Sequence, residues 1–335
     1  METISTAPAA AGIDPRLQQL SYSSIANLHA CPRLWQLIRL NSQGEDTDTP
    51  EESLTFAFGH AVGTGIQELF TGASLQQTIW NMFVAWPVEL FLENPKQNKS
   101  FWVAMTAVQQ FHKMHRGGAF TDYELVTYAG KPAIELGYRI DLGDGFAMRG
   151  YLDAVLQNTK NKKVVVLELK TSSAYAINPA TYKNSSQALG YSIVLDVLFP
   201  ALSSYDVLYF IFRTKNLDYE KFAFTKSYVQ RALWIQELLL EKQRILLYAA
   251  NDCFPMHGEN CVNKYSRECK FLNICTMSTS RLITPLLEAP NKEPETYDVE
   301  LTIQQVIDTQ ILKSQSQQQS APSPTSNILP GDTIL

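Results

Sequence analysis

Two apolar runs joined by a short polar turn constrain this chain more than any other feature. Met148-Arg-Gly-Tyr-Leu-Asp153-Ala-Val-Leu-Gln157 is followed by Asn-Thr-Lys-Asn-Lys162 and then by Lys163-Val-Val-Val-Leu-Glu168-Leu-Lys170-Thr-Ser172. Two β-rich runs around such a turn predict a hairpin. Side chains alternate along a strand, so Glu168 and Lys170 share one face. The hairpin partner brings Asp153 beside them. Two carboxylates and one ammonium at a strand end suit a hard divalent cation held through oxygen, with the lysine steadying a phosphate or hydroxide. The bland alternative is a surface salt bridge on an edge strand. Four hydrophobic residues before Glu168 argue against it, because that strand has no solvated face. A second Glu-x-Lys, Glu268-Cys-Lys270, lies in a polar stretch with no strand before it.

The rest of the chain sets limits. At 335 residues, 45% hydrophobic and 18% charged, it is long and apolar enough for one large domain or two small ones. It holds no run of 18 apolar residues and its first residues lack a basic region and an apolar h-region, so neither a membrane span nor a secretory signal is expected. The expected location is cytoplasmic, or the host cytoplasm for a phage-encoded protein. From Ile283 onward there are seven acidic and two basic residues, which account for the whole formal charge of −5. The body before it is neutral, so mean charge does not argue for nucleic acid.

Periodicity and breakers give the organisation. Residues 1–19 read as a flexible N-terminus. Helices are expected over 22–40, 55–70, 74–86, 100–116, 184–198 and 226–250, with a polar loop at 41–53. Strands are expected over 123–128, 133–142, 146–157, 163–170, 205–213 and 219–224. Residues 283–335 read as an acidic, largely disordered tail, with Ser314–Ser326 of low complexity. Val299, Ile303, Val306 and Ile307 fall at helical spacing, predicting an amphipathic helix over 298–312 that packs on the body or docks a protein partner. A central sheet with flanking helices makes the chain an α/β protein.

Gly150-Tyr-Leu-Asp153 followed by Glu168-Leu-Lys170 resembles the core of the PD-(D/E)XK nuclease superfamily, and in particular its RecB-like branch of CRISPR-associated and phage-type exonucleases. Three further segments match in order: Cys31-Pro-Arg in an N-terminal helix, Gln187-Ala-Leu-Gly-Tyr191, and the Cys261, Cys269 and Cys275 group. The resemblance spans about residues 20 to 278, and the expected nuclease domain is 20–282. It implies a restriction-endonuclease-like mixed central sheet flanked by helices, with helical additions and an iron-sulfur-stapled C-terminal segment. It implies Asp153, Glu168 and the Leu169 carbonyl as ligands of Mg²⁺ or Mn²⁺, and Lys170 as the group that orients the attacking water. Gln187 and Tyr191, at i and i+4, lie on one helical face and can reach the site.

Many RecB-like members carry a metal-binding His in a Gly-x-x-x-His helix. Here the segment is Phe58-Gly-His60-Ala-Val-Gly63-Thr-Gly65-Ile-Gln67-Glu68, and counting from Gly59 puts Gly63 at the His position. His60 is the candidate ligand, and Glu68 another. Five cysteines in an intracellular chain do not make a disulfide framework. By resemblance Cys31, Cys261, Cys269 and Cys275 hold a [4Fe–4S] cluster. Zinc, with His257 or Cys253 as fourth ligand, is the alternative. Two functions stand open. The first is a metal-dependent DNA nuclease acting on single strands or ends in recombination, repair or phage DNA metabolism. The second is a catalytically silent DNA-binding or scaffolding relative.

Overall fold

The computed structural model describes residues 13–41, 50–93, 98–202, 205–262, 268–277 and 296–320. Strand β1 (Gln19–Leu20) leads to helices α1 (Tyr22–Ala30), α2 (Pro32–Asn41), α3 (Pro50–Phe70), α4 (Leu75–Ala85), α5 (Val88–Glu93) and α6 (Phe101–Arg116). Strands β2 (Tyr123–Leu125), β3 (Thr127–Tyr128), β4 (Lys131–Pro132), β5 (Ile134–Gly143), β6 (Phe146–Asn158) and β7 (Val164–Ser172) follow. Then come α7 (Ala180–Lys183), α8 (Ser186–Leu198), β8 (Tyr205–Arg213), β9 (Asp218–Lys226), α9 (Tyr228–Ala250), β10 (Val299–Thr302) and α10 (Ile303–Ser320). Serines open several helices by accepting a backbone N–H: Ser21, Ser74, Ser100 and Ser227, the last in a capping box with Gln230.

The main sheet is mixed. Its order is β10-β5-β6-β7-β8-β9, with β1 and β2 also paired to β6. The β5–β6–β7 meander and the β8–β9 pair are antiparallel, while β7–β8 and β10–β5 are parallel. Both faces are covered. Val155, Val164, Val166, Val207 and Ile211 pack with residues of α8 and α9 on one side. Ala154, Leu156, Leu167, Phe210 and Phe212 pack with α3, α4 and α6 on the other. Burial on both faces is why β7 reads as a continuous apolar run. Gly65 lets α3 close on its neighbours, because a Cβ there would stand 2.7 Å from Val108 Cγ2.

The structure departs from the sequence reading in several places. Residues 13–19 are not a free end: Leu17 is buried and Gln19 and Leu20 pair in parallel with Ala147 and Met148. Residues 1–12 lie outside the described residues. The helix expected over 22–40 breaks at Cys31, which is extended (φ −160°), because a following proline disfavours helical backbone. Residues 298–312 are not one helix. Val299–Thr302 pair with Tyr138–Asp141, and helix begins at Ile303 and runs to Ser320. Part of the expected tail is therefore the edge of the sheet. Residues 321–335 lie outside the described residues.

Candidate active site

The site forms where β6 and β7 part. Their backbone ladder pairs Ala154 with Leu167 and ends there. Beyond it the Asp153 carboxylate takes over, Oδ2 accepting the Leu169 N–H at 2.7 Å. Glu168 and Lys170 share the parity of Val164 and Val166 and so face α8. The Lys170 ammonium lies 2.5 Å from Glu168 Oε1 and donates to Gln187 Oε1 at 3.1 Å. Gln187 in turn donates to the Tyr191 hydroxyl at 2.5 Å. Gly150 is required for this packing: a Cβ would sit 2.8 Å from the Tyr138 hydroxyl, and the Tyr138 ring stands edge-on to Tyr191.

Charge is poorly compensated here. Glu168 is completely buried, and apart from its ion pair neither oxygen receives a well-directed hydrogen bond. Burial pushes the Asp153 carboxyl well above the usual range, the Glu168 charge pushes it further, and the Leu169 N–H and Lys170 oppose this. Burial also raises the Glu168 carboxyl against the pull of Lys170. Burial works to lower the Lys170 ammonium, but Glu168 and then Asp153 overcome it and hold the group charged. The Tyr191 hydroxyl is likewise raised, by burial and then by Glu168, and stays protonated.

A third carboxylate joins them. Glu135 lines the same cleft and adds its charge to Asp153 and Glu168. Its backbone is left-handed (φ +47°), a conformation that a non-glycine residue adopts at a cost. Gln67 of α3 is buried, donates to Glu135 Oε1 at 2.5 Å and approaches the Asp153 carbonyl at 3.5 Å. The cleft has a volume of about 460 Å³ between α3 and the ends of β6 and β7.

His60 is exposed on the wall of this cleft, whereas the residue of α3 that contacts the acidic group is Gln67. Counting the Gly-x-x-x-His spacing from Gly63 instead of Gly59 would have pointed to Gln67. Glu68 turns away and accepts from Asn81. Glu135 carried no signal in the sequence, since its side chain enters the cleft through a backbone irregularity.

The acidic pole fits a divalent cation, because two buried carboxylates repel each other and share one ammonium, that of Lys170. Among the described residues no set of three or more His, Cys, Asp and Glu stands in metal-holding geometry. A pole of Asp153 and Glu168 would be completed by a backbone carbonyl, such as that of Leu169, and by water.

The cysteines gather around the junction of α1 and α2 and the segment after α9. Cys31 is buried, and its Sγ accepts the His257 N–H at 3.5 Å. Cys269 N donates to Cys261 O at 2.7 Å. Burial raises the Cys275 thiol, Arg33 opposes this, and Cys31, Cys269 and Cys261 add to it; Cys261 Sγ reaches the His257 carbonyl at 4.0 Å. Arg33 ties α2 to this segment through the carbonyls of Cys275 (2.8 Å) and Met277. Leu37 packs on Phe271 beside Cys269. Cys253 is exposed. The His257 ring pairs with the Ala30 carbonyl through Nδ1 at 2.9 Å.

A sequence profile of the PD-(D/E)XK nuclease superfamily matches residues 19–276. Among solved structures, one described as a putative exonuclease from Eubacterium rectale is 12% identical, with a TM-score of 0.44, covering 77% of this chain and 91% of that one. A second, described as SSO0001, is 11% identical, with a TM-score of 0.30, covering 68% of this chain and 76% of that one. No curated protein matches the sequence.

Proposed function

The chain belongs to the PD-(D/E)XK nuclease superfamily, and from that premise we propose that it is a Mg²⁺- or Mn²⁺-dependent DNA nuclease acting on single strands or ends. The observation that carries this reading is the convergence of Asp153, Glu168 and Lys170 at the parted ends of β6 and β7, with Asp153 and Lys170 open to the cleft under α3 and Glu168 buried behind them. Asp153, Glu168 and the Leu169 carbonyl would hold the cation, which supplies charge neutralisation and an activated water when bound. Lys170 stays charged and is braced by Gln187, so it can orient the attacking oxygen and offset charge on the phosphate. Tyr191 holds Gln187 in place. Glu135 and Gln67 close the acidic pole from the α3 side. An uncharged helix residue, Gln67, leaves the cation to the carboxylates.

The test is cleavage of labelled single-stranded, double-stranded and circular DNA with and without Mg²⁺. Lys170→Ala is expected to lower the rate by about a thousandfold or more with DNA binding kept, on protein shown by its unfolding curve to be folded at the assay temperature. Near wild-type cleavage by Lys170→Ala would sink the reading. Metal-dependent DNA binding without any cleavage would favour the silent relative instead. The products from circular DNA separate end-directed from internal cutting.

We also propose that Cys31, Cys261, Cys269 and Cys275 hold a [4Fe–4S] cluster. What supports it is the seating of Cys31 and Cys261 on the His257 backbone and of Arg33 of α2 on the Cys275 carbonyl, contacts that join α2 to the segment after α9. Such a tie closes a loop of more than 200 residues and would stabilise the fold. Anaerobically purified protein should be brown and carry iron, with colour lost in Cys31→Ser and retained in Cys253→Ser. Colourless protein loaded with zinc would replace the cluster with the zinc site.

A further inference from the structure

One helix, α3, forms a wall of the cleft that leads to Asp153 and Lys170. Phe56, Gly59, His60, Gly63 and Gln67 of α3 all line the cleft. Their spacing of three, four and seven residues puts them on one stripe of the helix. At Gly59 and at Gly63 an added Cβ would meet nothing within 4 Å. The helix backbone is therefore bare along the middle of the stripe, next to open space. Gln67 stands at its inner end, in contact with Glu135. Phe56 stands at its outer end, where an apolar ring is 70% exposed inside a cleft. Beside it, Lys99 donates to the hydroxyl of Thr55 at 2.8 Å, and Thr55 lines the same cleft. An exposed ring in the cleft supplies what an unpaired base needs, a flat apolar surface to stack on.

We propose that Phe56 is the stacking platform for an unpaired base of the substrate strand, and that the strand runs from it along the Gly59–Gly63 track to Asp153 and Lys170. This rests on the nuclease reading of the cleft and adds a specificity determinant to it. Phe56 lies eleven residues from Gln67, about 16 Å along the helix axis. At roughly 3.4 Å per stacked nucleotide this places the contact within about five nucleotides of the scissile phosphate. A paired base has both faces covered by its neighbours in the duplex, so the platform selects single strands and frayed ends.

The experiment pairs Phe56 variants with single abasic sites scanned across the first six nucleotides on each side of the cut. Affinity is measured on the Lys170→Ala background so that the DNA stays intact. Phe56→Ala should weaken binding of an intact single strand about five- to hundredfold. Phe56→Trp should restore it, while Phe56→Leu should not. At one position an abasic site should cost the Phe56 protein the same factor and cost Phe56→Ala nothing more, because ring and base form one contact. A second variant, Gly63→Leu, should weaken binding without lowering the melting temperature, since it fills open space on a helix. The proposal is overturned when Phe56→Ala leaves affinity unchanged, or when it and every abasic site act independently. The outcome is separable from the parent reading. Wild-type protein that cleaves DNA without showing this coupling removes the platform alone, whereas protein that neither cleaves nor binds removes both.

Discussion

Two sets of buried charges meet helix α8, and the fold treats them in opposite ways. At its C-terminal half, Asp196 is completely buried and both oxygens are taken. Lys313 donates to Oδ1 at 2.6 Å, and Gln310 (2.5 Å) and Arg231 (2.6 Å) reach Oδ2. Lys313 also reaches the Leu202 carbonyl and the Tyr205 hydroxyl. This network pins α10 to α8 and α9. At the other end of α8, Gln187 and Tyr191 brace Lys170. There a single ammonium, that of Lys170, answers the charges of Asp153, Glu168 and Glu135. The first set is closed and structural. The second is left short of positive charge, which is what a site for a cation and a phosphate requires. Burial alone does not distinguish them; the balance of partners does.

The sharpest way to break this contrast is to remove Asp196. Asp196→Ala leaves Arg231 and Lys313 buried without their carboxylate. It is expected to cost about 3–5 kcal/mol, roughly 10 °C in melting temperature, in thermal unfolding. A loss under about 1 kcal/mol would mean that the network is not closed.

The opposite sign is expected at the cleft. The Asp153 carboxyl is raised by burial and by Glu168. The folded state therefore gains stability while Asp153 is protonated, at acidic pH, and loses it as pH rises through the raised value. Asp153→Asn keeps an acceptor for the Leu169 N–H and removes the like charge. It should raise metal-free stability by on the order of 1 kcal/mol at neutral pH, make little difference in acid, and abolish the upward melting shift that Mg²⁺ gives the wild type. A variant less stable than wild type, with the Mg²⁺ shift intact, would contradict the cation-site reading.

A smaller effect tests a buried charge with neither arrangement. Lys226 is buried and donates to the Lys183 carbonyl, and burial pushes its ammonium down to about 8 from 10.5. Between those values the unfolded chain holds a proton that the folded chain releases, so stability rises with pH across that window. Lys226→Met should flatten the rise and add about 1 kcal/mol at pH 7, read from melting curves between pH 7 and 10.

What the sequence revealed was local. Asp153, Glu168 and Lys170 were legible because one hairpin brings them together, and Gln187 and Tyr191 because they are one helical turn apart. Three features were not legible. Glu135 enters the cleft through a left-handed residue that no pattern marks. Gln67 is reached only when the Gly-x-x-x count starts from Gly63. Val299–Thr302 looked helical because two buried strand residues, Val299 and Leu301, run straight into Ile303 and Val306. Four residues are too few for alternation to outvote a helical period.

By itself, then, the chain determined most of its strands and helices and the identity of the charged groups at the end of the hairpin, since propensity and periodicity act over a few residues. Tertiary structure decided which charges are satisfied and which are not. It placed α3 across the strand ends, with Phe56 and Gln67 at the two ends of a bare helical face. It paired β10 with β5 across more than 150 residues. It also brought Cys31 and Cys261 to the His257 backbone, across more than 200 residues of chain. These outcomes depend on packing and charge compensation between distant segments, and no local pattern encodes where such segments will meet.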